Sequence, residues 1–177
     1  MLVNVLISGL VAFGFYSPLT SWLDGQLGGQ WTYVLDYVIV WGLFVATMVI
    51  CRTLTRRGSA TRMRFRNPID SVAGPILGLL AAWVLASFVM ATLHMVPMKK
   101  DSFGGMLLHS TSDVESKSSL TAPDLGWLRF VERMSQETSF GSSSTNRFSA
   151  IGFIAAYQNH RANLEKATTK SLRVNRG

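Results

Sequence analysis

At 177 residues with a formal net charge of +7, the chain has the length of one ordinary domain, but its apolar residues crowd into the first half instead of being spread as a water-soluble core spreads them. Asp24, Asp36 and Asp70 are the only acidic residues before Pro97, and no Lys or Arg precedes Arg52. Six Arg then fall between Arg52 and Arg66 without an acidic neighbour, bracketed by long apolar stretches, which fits a membrane orientation signal and not a basic face mounted on a nucleic-acid reader.

The stretch from Leu2 to Trp22 carries no charged side chain and is long enough, as a helix, to cross a hydrocarbon layer. Asn4, Ser8 and Pro18 make it the least apolar of the expected spans. The start of the chain lacks a basic n-region and shows no small-residue cleavage site before Asp24, so the stretch is expected to stay in place as a first span and not to be removed as a signal peptide. Asp24-Gly25, Gly28-Gly29 and Gln30 supply turn chemistry and predict a short polar hairpin loop.

Trp31 to Cys51 is almost continuously apolar, with Trp31, Tyr33 and Tyr37 gathered at one end as an interfacial belt would gather them. Asp36 lies about one helical turn inside this second span, where an ionised carboxylate costs a few kcal/mol unless it snorkels outward or finds a partner. An interfacial Asp is the plain reading, and Asp36 is also the best candidate for an intramembrane polar role. Cys51 is the only cysteine, which excludes an intrachain disulfide and a cysteine-based metal cage and leaves a packing role.

Arg52, Arg56, Arg57, Arg62, Arg64 and Arg66 fall in a loop expected over residues 52–68. Arg-rich loops this short are retained on the cytoplasmic side, which predicts a cytoplasmic amino terminus, an external Gly-rich hairpin and an external tail, with Lys99 and Lys100 arguing weakly the other way. The same arginines can meet anionic lipid headgroups, each worth about 1 kcal/mol near the surface.

Ile69 to Val96 is the third expected span. Gly74, Gly78, Ala82 and Ala86 recur every fourth residue, so small side chains line one helical face and allow another helix's backbone to approach closely. Whether that partner helix belongs to the same chain or to an oligomer is open from the sequence. Asp70 stands where it can cap the helix start or pair with Arg64 or Arg66, and Pro75 lies early enough for its missing N–H to be tolerated.

After Met98 the chain is polar: residues 102–125 are rich in Ser, Gly and Thr and read as linker. A short amphipathic helix is predicted from about Pro123 to Gln136, with Trp127 and Phe130 placed to lie on a membrane surface, and a second helix from about Phe148 to Lys166 before a frayed end. The expected organisation is thus an all-α integral membrane protein. Residues 1–97 form a transmembrane domain with spans over 2–22, 31–51 and 69–96, and residues 98–177 an extracytoplasmic tail.

Enzymatic chemistry finds little support in the sequence. His94, His109 and His160 are far apart and none stands at metal-ligand spacing from another His or a carboxylate. Gly25, Gly28 and Gly29 lack the Lys-Ser or Lys-Thr of a phosphate-binding loop, and the tail's serines have no nucleophile-elbow context. The expectation is a non-enzyme without cofactor or metal, partnered by the lipid bilayer and by other membrane helices, in one chain or in a homo-oligomer, and not by nucleic acid.

An apolar span, an Arg-rich loop, then Asn67-Pro68-Ile69-Asp70 leading into Gly74-Pro75-Ile76-Leu77-Gly78-Leu79-Leu80 resembles the CvpA, or colicin V production protein, family over roughly Leu2 to Met95. Family members usually begin one span earlier, so this chain would start at the family's second helix, and Ala81-Ala82-Trp83 stands where an Arg often follows. The resemblance implies an inner-membrane protein linked to toxin production or export and envelope maintenance, with Asp70, Gly74 and Gly78 mapped as architecture and no catalytic residues to carry over. Two activities follow: a scaffold or secretion accessory that binds helices through the third span, or an oligomeric transport or channel component with Asp36 along its path.

Overall fold

The computed structural model describes residues 1–27, 32–58, 69–96, 122–137 and 148–174, and no strand occurs among them. The helices are α1 (Leu2–Leu27), α2 (Thr32–Gly58), α3 (Ile69–Leu93), α4 (Pro123–Glu137) and α5 (Ala150–Val174). Three contain stretches long and apolar enough to cross a membrane, Leu2–Gln26, Val34–Gly58 and Val72–Leu93. Their outward faces are apolar as well: Trp22 is 62% exposed, Val38 57% and Leu79 74%. A helix bathed in water would carry polar side chains there, so lipid is the solvent that this surface fits.

The expected ends shift because hydropathy marks the edge of the hydrocarbon whereas helical hydrogen bonding does not stop at it. α1 runs on to Leu27, so Asp24 and Gly25 are helical and not part of a turn. Gly28, Gly29 and Gln30 lie outside the described residues. α2 runs past Cys51 to Gly58, which puts Arg52, Arg56 and Arg57 on a helix and not in a loop. Thr53 and Thr55 donate their hydroxyls to the carbonyls of Val49 at 2.8 Å and Cys51 at 2.7 Å, and Arg56 and Arg57 in the last turn complement the negative end of the helix dipole. Arg62, Arg64 and Arg66 fall outside the described residues. α3 stops at Leu93, short of the expected Val96, and closes with tighter bonds from the amides of His94, Met95 and Val96 to the carbonyls three residues back.

The chain divides into two units, Met1–Val89 and Met90–Gly177. In the first, α1 and α2 pair antiparallel. Ser8 Oγ lies 3.8 Å from Met48 Sδ, and Asn4 Oδ1 lies 3.4 Å from the Thr55 hydroxyl, so an advance along α1 meets an earlier residue of α2. Ser8 and Ala12 are fully buried between Val5 and Phe13, a small-residue face on which the second helix can approach closely. Phe88 of α3 is fully buried here. Its ring stacks on Phe44 at 4.4 Å and meets Phe13 and Trp41 edge-on at 5.8 Å and 5.7 Å.

The second unit contains the end of α3, α4 and α5. α4 begins with Pro123 in its first turn, where a missing N–H is no loss, and the Ala122 carbonyl accepts the Gly126 amide at 3.1 Å. Before α5, Ser149 Oγ accepts the Gly152 amide at 3.3 Å as an N-cap, while the rings of Phe148 and Phe153 meet at 5.7 Å across it as a hydrophobic staple. α5 continues to Val174 and so outruns the expected end near Lys166. Leu125, Trp127, Leu128, Val131, Phe153, Ile154 and Tyr157 form the buried centre with Ala91 and Met95. Trp127, expected at a membrane surface, is 3% exposed: the apolar stripe of α4 is spent on this core. Of the predicted Ser-rich linker, 102–121 lies outside the described residues, Ala122 directly precedes α4, and the last three positions, 123–125, belong to α4.

Candidate functional site

The most distinctive chemistry among the described residues is a buried polar cluster in the second unit. His94, one residue past α3, is 1% exposed, and Asp124 in the first turn of α4 is 1% exposed. His94 Nε2 lies 2.9 Å from Asp124 Oδ2, and Arg161 Nη2 from α5 lies 3.4 Å from His94 Nδ1. Arginine offers donors only, so Nδ1 must be the accepting nitrogen, and the ring proton sits on Nε2 and is donated to the carboxylate. In that tautomer the ring stands between a carboxylate and a guanidinium and bonds to both. Asp124 also lies near the α4 N-terminus, where negative charge is favoured by the helix dipole.

Arg161 is only partly buried, and its desolvation pulls the guanidinium below its ordinary value. Its Nε is buried without a hydrogen-bond partner among the described residues, so part of the guanidinium is withdrawn from water without compensation. With both ring nitrogens engaged, His94 has no free edge for a substrate, and the arrangement suits positioning better than proton transfer to a ligand. Among the described residues, no group of three or more His, Cys, Asp and Glu side chains comes together to hold a metal ion.

The residues singled out from the sequence are not part of this cluster. Gly74 and Gly78 have no atom within 4 Å of the position a Cβ would take, and Ala82 and Ala86 are exposed on the same helix. The small-residue face of α3 is therefore open among the described residues, and the face that does receive a helix is the one on α1 with Ser8 and Ala12. Asp36 is partly buried near the start of α2. Asp70 is the second residue of α3, and its side chain lies outside the described residues. Arg52, Arg56 and Arg57 are exposed at the end of α2.

The family model described as Colicin V production protein matches residues 1–116, extending past Met95. No curated protein and no solved structure matches the chain. The match takes in α1, α2, α3 and His94 but ends before Asp124 and Arg161.

Proposed function

The chain belongs to the colicin V production protein family, and from that premise we propose that it is a non-catalytic, multi-pass protein of the inner membrane that serves as a scaffold or accessory in toxin production, export or envelope maintenance. Its activity on this reading is to hold other membrane helices against α3. The observation that carries it is the open face at Gly74 and Gly78, continued by the exposed Ala82 and Ala86. In lipid a helix gains nothing from hiding apolar surface, so close backbone approach over small residues is a main source of association. Gly74→Leu or Gly78→Leu fills that approach and is expected to reduce the size of the assembly in mild detergent without loss of membrane insertion. Unchanged assembly in both variants refutes the reading.

Orientation follows from the arginines: with Arg52, Arg56 and Arg57 cytoplasmic, the amino terminus is inside and the tail outside. In a Cys51→Ser background, an impermeant thiol reagent added to intact cells is expected to label Ser118→Cys and to spare Arg57→Cys. The reverse pattern overturns the assignment.

A second reading, an oligomeric transport or channel component, draws on one observation, the partly buried Asp36 within the second span. It requires flux through liposomes that Asp36→Asn alters; liposomes without flux remove its support.

A further inference from the structure

A scaffold that binds helices through α3 makes no use of the buried His94 cluster in the second unit. Nδ1 can accept from Arg161 only while it lacks a proton. A second ring proton would set an N–H against an N–H and a cation against a cation at 3.4 Å, whereas it would strengthen the 2.9 Å contact to Asp124 by making that hydrogen bond fully ionic. The two sides of the ring therefore respond oppositely. We propose that His94 is a proton-operated latch: the neutral ring holds α4 through Asp124 and α5 through Arg161, and the protonated ring keeps Asp124 and expels Arg161.

The surroundings concentrate this response on one bond. Residues 90–96 contain no other titratable side chain. Among the described residues, the charged group bonded to His94 from α4 is Asp124, and from α5 it is Arg161. His160, the neighbour of Arg161, directs its ring to Tyr157 at 5.8 Å, and Arg129 and Arg133 are exposed. The buried Nε of Arg161 has no partner among the described residues, so few bonds resist its departure. Release binds one more proton than docking does, and acidification therefore favours release.

The test uses the full-length protein in lipid nanodiscs, with ring nitrogens followed by 15N-histidine NMR and backbone protection by hydrogen exchange corrected for its intrinsic pH dependence. Between about pH 8 and about pH 5, the range in which histidine switches charge, the His94 ring is expected to pass from the Nε2–H form to the doubly protonated form. Protection over 157–164 should fall about tenfold in step, while 124–131 stays protected. His94→Gln keeps an amide donor and a carbonyl acceptor but takes up no proton, and its protection over 157–164 should not change with pH. Should that variant misfold, Arg161→Met serves instead: with the opposing cation gone, the ring should gain its second proton at higher pH than in the parent. The proposal is overturned by a neutral ring protonated on Nδ1, by a ring that stays neutral to pH 5, or by a ring that gains the proton with α5 protection unchanged.

Discussion

Replacing Phe88 by Ala tests what holds α3 to the first two helices. The ring is fully buried and touches aromatic neighbours on both α1 and α2. In a water-soluble core a Phe→Ala change costs about 3–5 kcal/mol, part of it the transfer of the ring from water. That part drops out here, because an α3 detached within the bilayer still keeps Phe88 in hydrocarbon. What remains is the cavity and the ring–ring geometry. Each aromatic pair is worth about 0.5–1.5 kcal/mol beyond its area, and three pairs sharing one ring do not add fully, so a loss of about 2 kcal/mol is expected. Leu79→Ala is the control, since Leu79 is 74% exposed and should cost near nothing in lipid. Reversible unfolding in mixed micelles, or steric trapping in bicelles, measures both. A Phe88→Ala loss within about 0.5 kcal/mol of the control would show that the aromatic cluster does not secure α3, and a loss above about 4 kcal/mol would show that the detached state meets water, contrary to the lipid reference.

Ala12→Leu adds bulk at a fully buried position on the α1–α2 contact and should weaken the pairing by about 1–3 kcal/mol, read in the same unfolding assay. A neutral effect would mean that the helices do not approach over the small face of α1. Asp124→Ala leaves the buried Nε2–H of His94 without its acceptor, and about 1–3 kcal/mol of second-unit stability should be lost, visible as accelerated hydrogen exchange over 150–164 with the spans unaffected. If exchange there is unchanged, the cluster is not holding the unit together.

The spans were legible because a stretch without charge over a full hydrocarbon thickness is rare outside a bilayer, and because Trp31, Tyr33 and Tyr37 marked one edge. Their ends were less legible, since a helix leaving the hydrocarbon changes its side chains before it changes its hydrogen bonds. Asp24, Gly25 and Arg52 sit on that overhang. In the tail, Pro123 fixed the start of α4, and the Leu125, Leu128 and Val131 spacing fixed its apolar face. The same spacing could not say whether Trp127 faces lipid or a core, because an amphipathic helix looks alike against either. In the sequence a small-residue face stood out on α3 alone; the one on α1 at Ser8 and Ala12 was missed, because a Ser and an Ala in an apolar run stand out only once α2 lies against them. His94 was invisible as a site because its partners are 30 and 67 residues away.

The boundary of the family match gives this cluster its meaning. The match ends at residue 116, so His94 lies on the shared side and Asp124 and Arg161 on the other. A histidine just past an apolar span ordinarily keeps its ring in water or at headgroup depth, where both nitrogens find partners without help. Here the ring is withdrawn from water, and burying its two polar atoms without partners would cost about 1–3 kcal/mol each. The segment beyond the match supplies both partners, one acidic and one basic, so the end of the third span and the tail form one folding unit in which neither charge is left alone. A tail that merely trailed from the membrane would need no buried carboxylate and no guanidinium turned inward. Two charged groups converging on opposite edges of one ring instead tie the docking of α5, on the latch proposed above, to the state of His94, a dependence that a hydrophobic docking surface alone would not create.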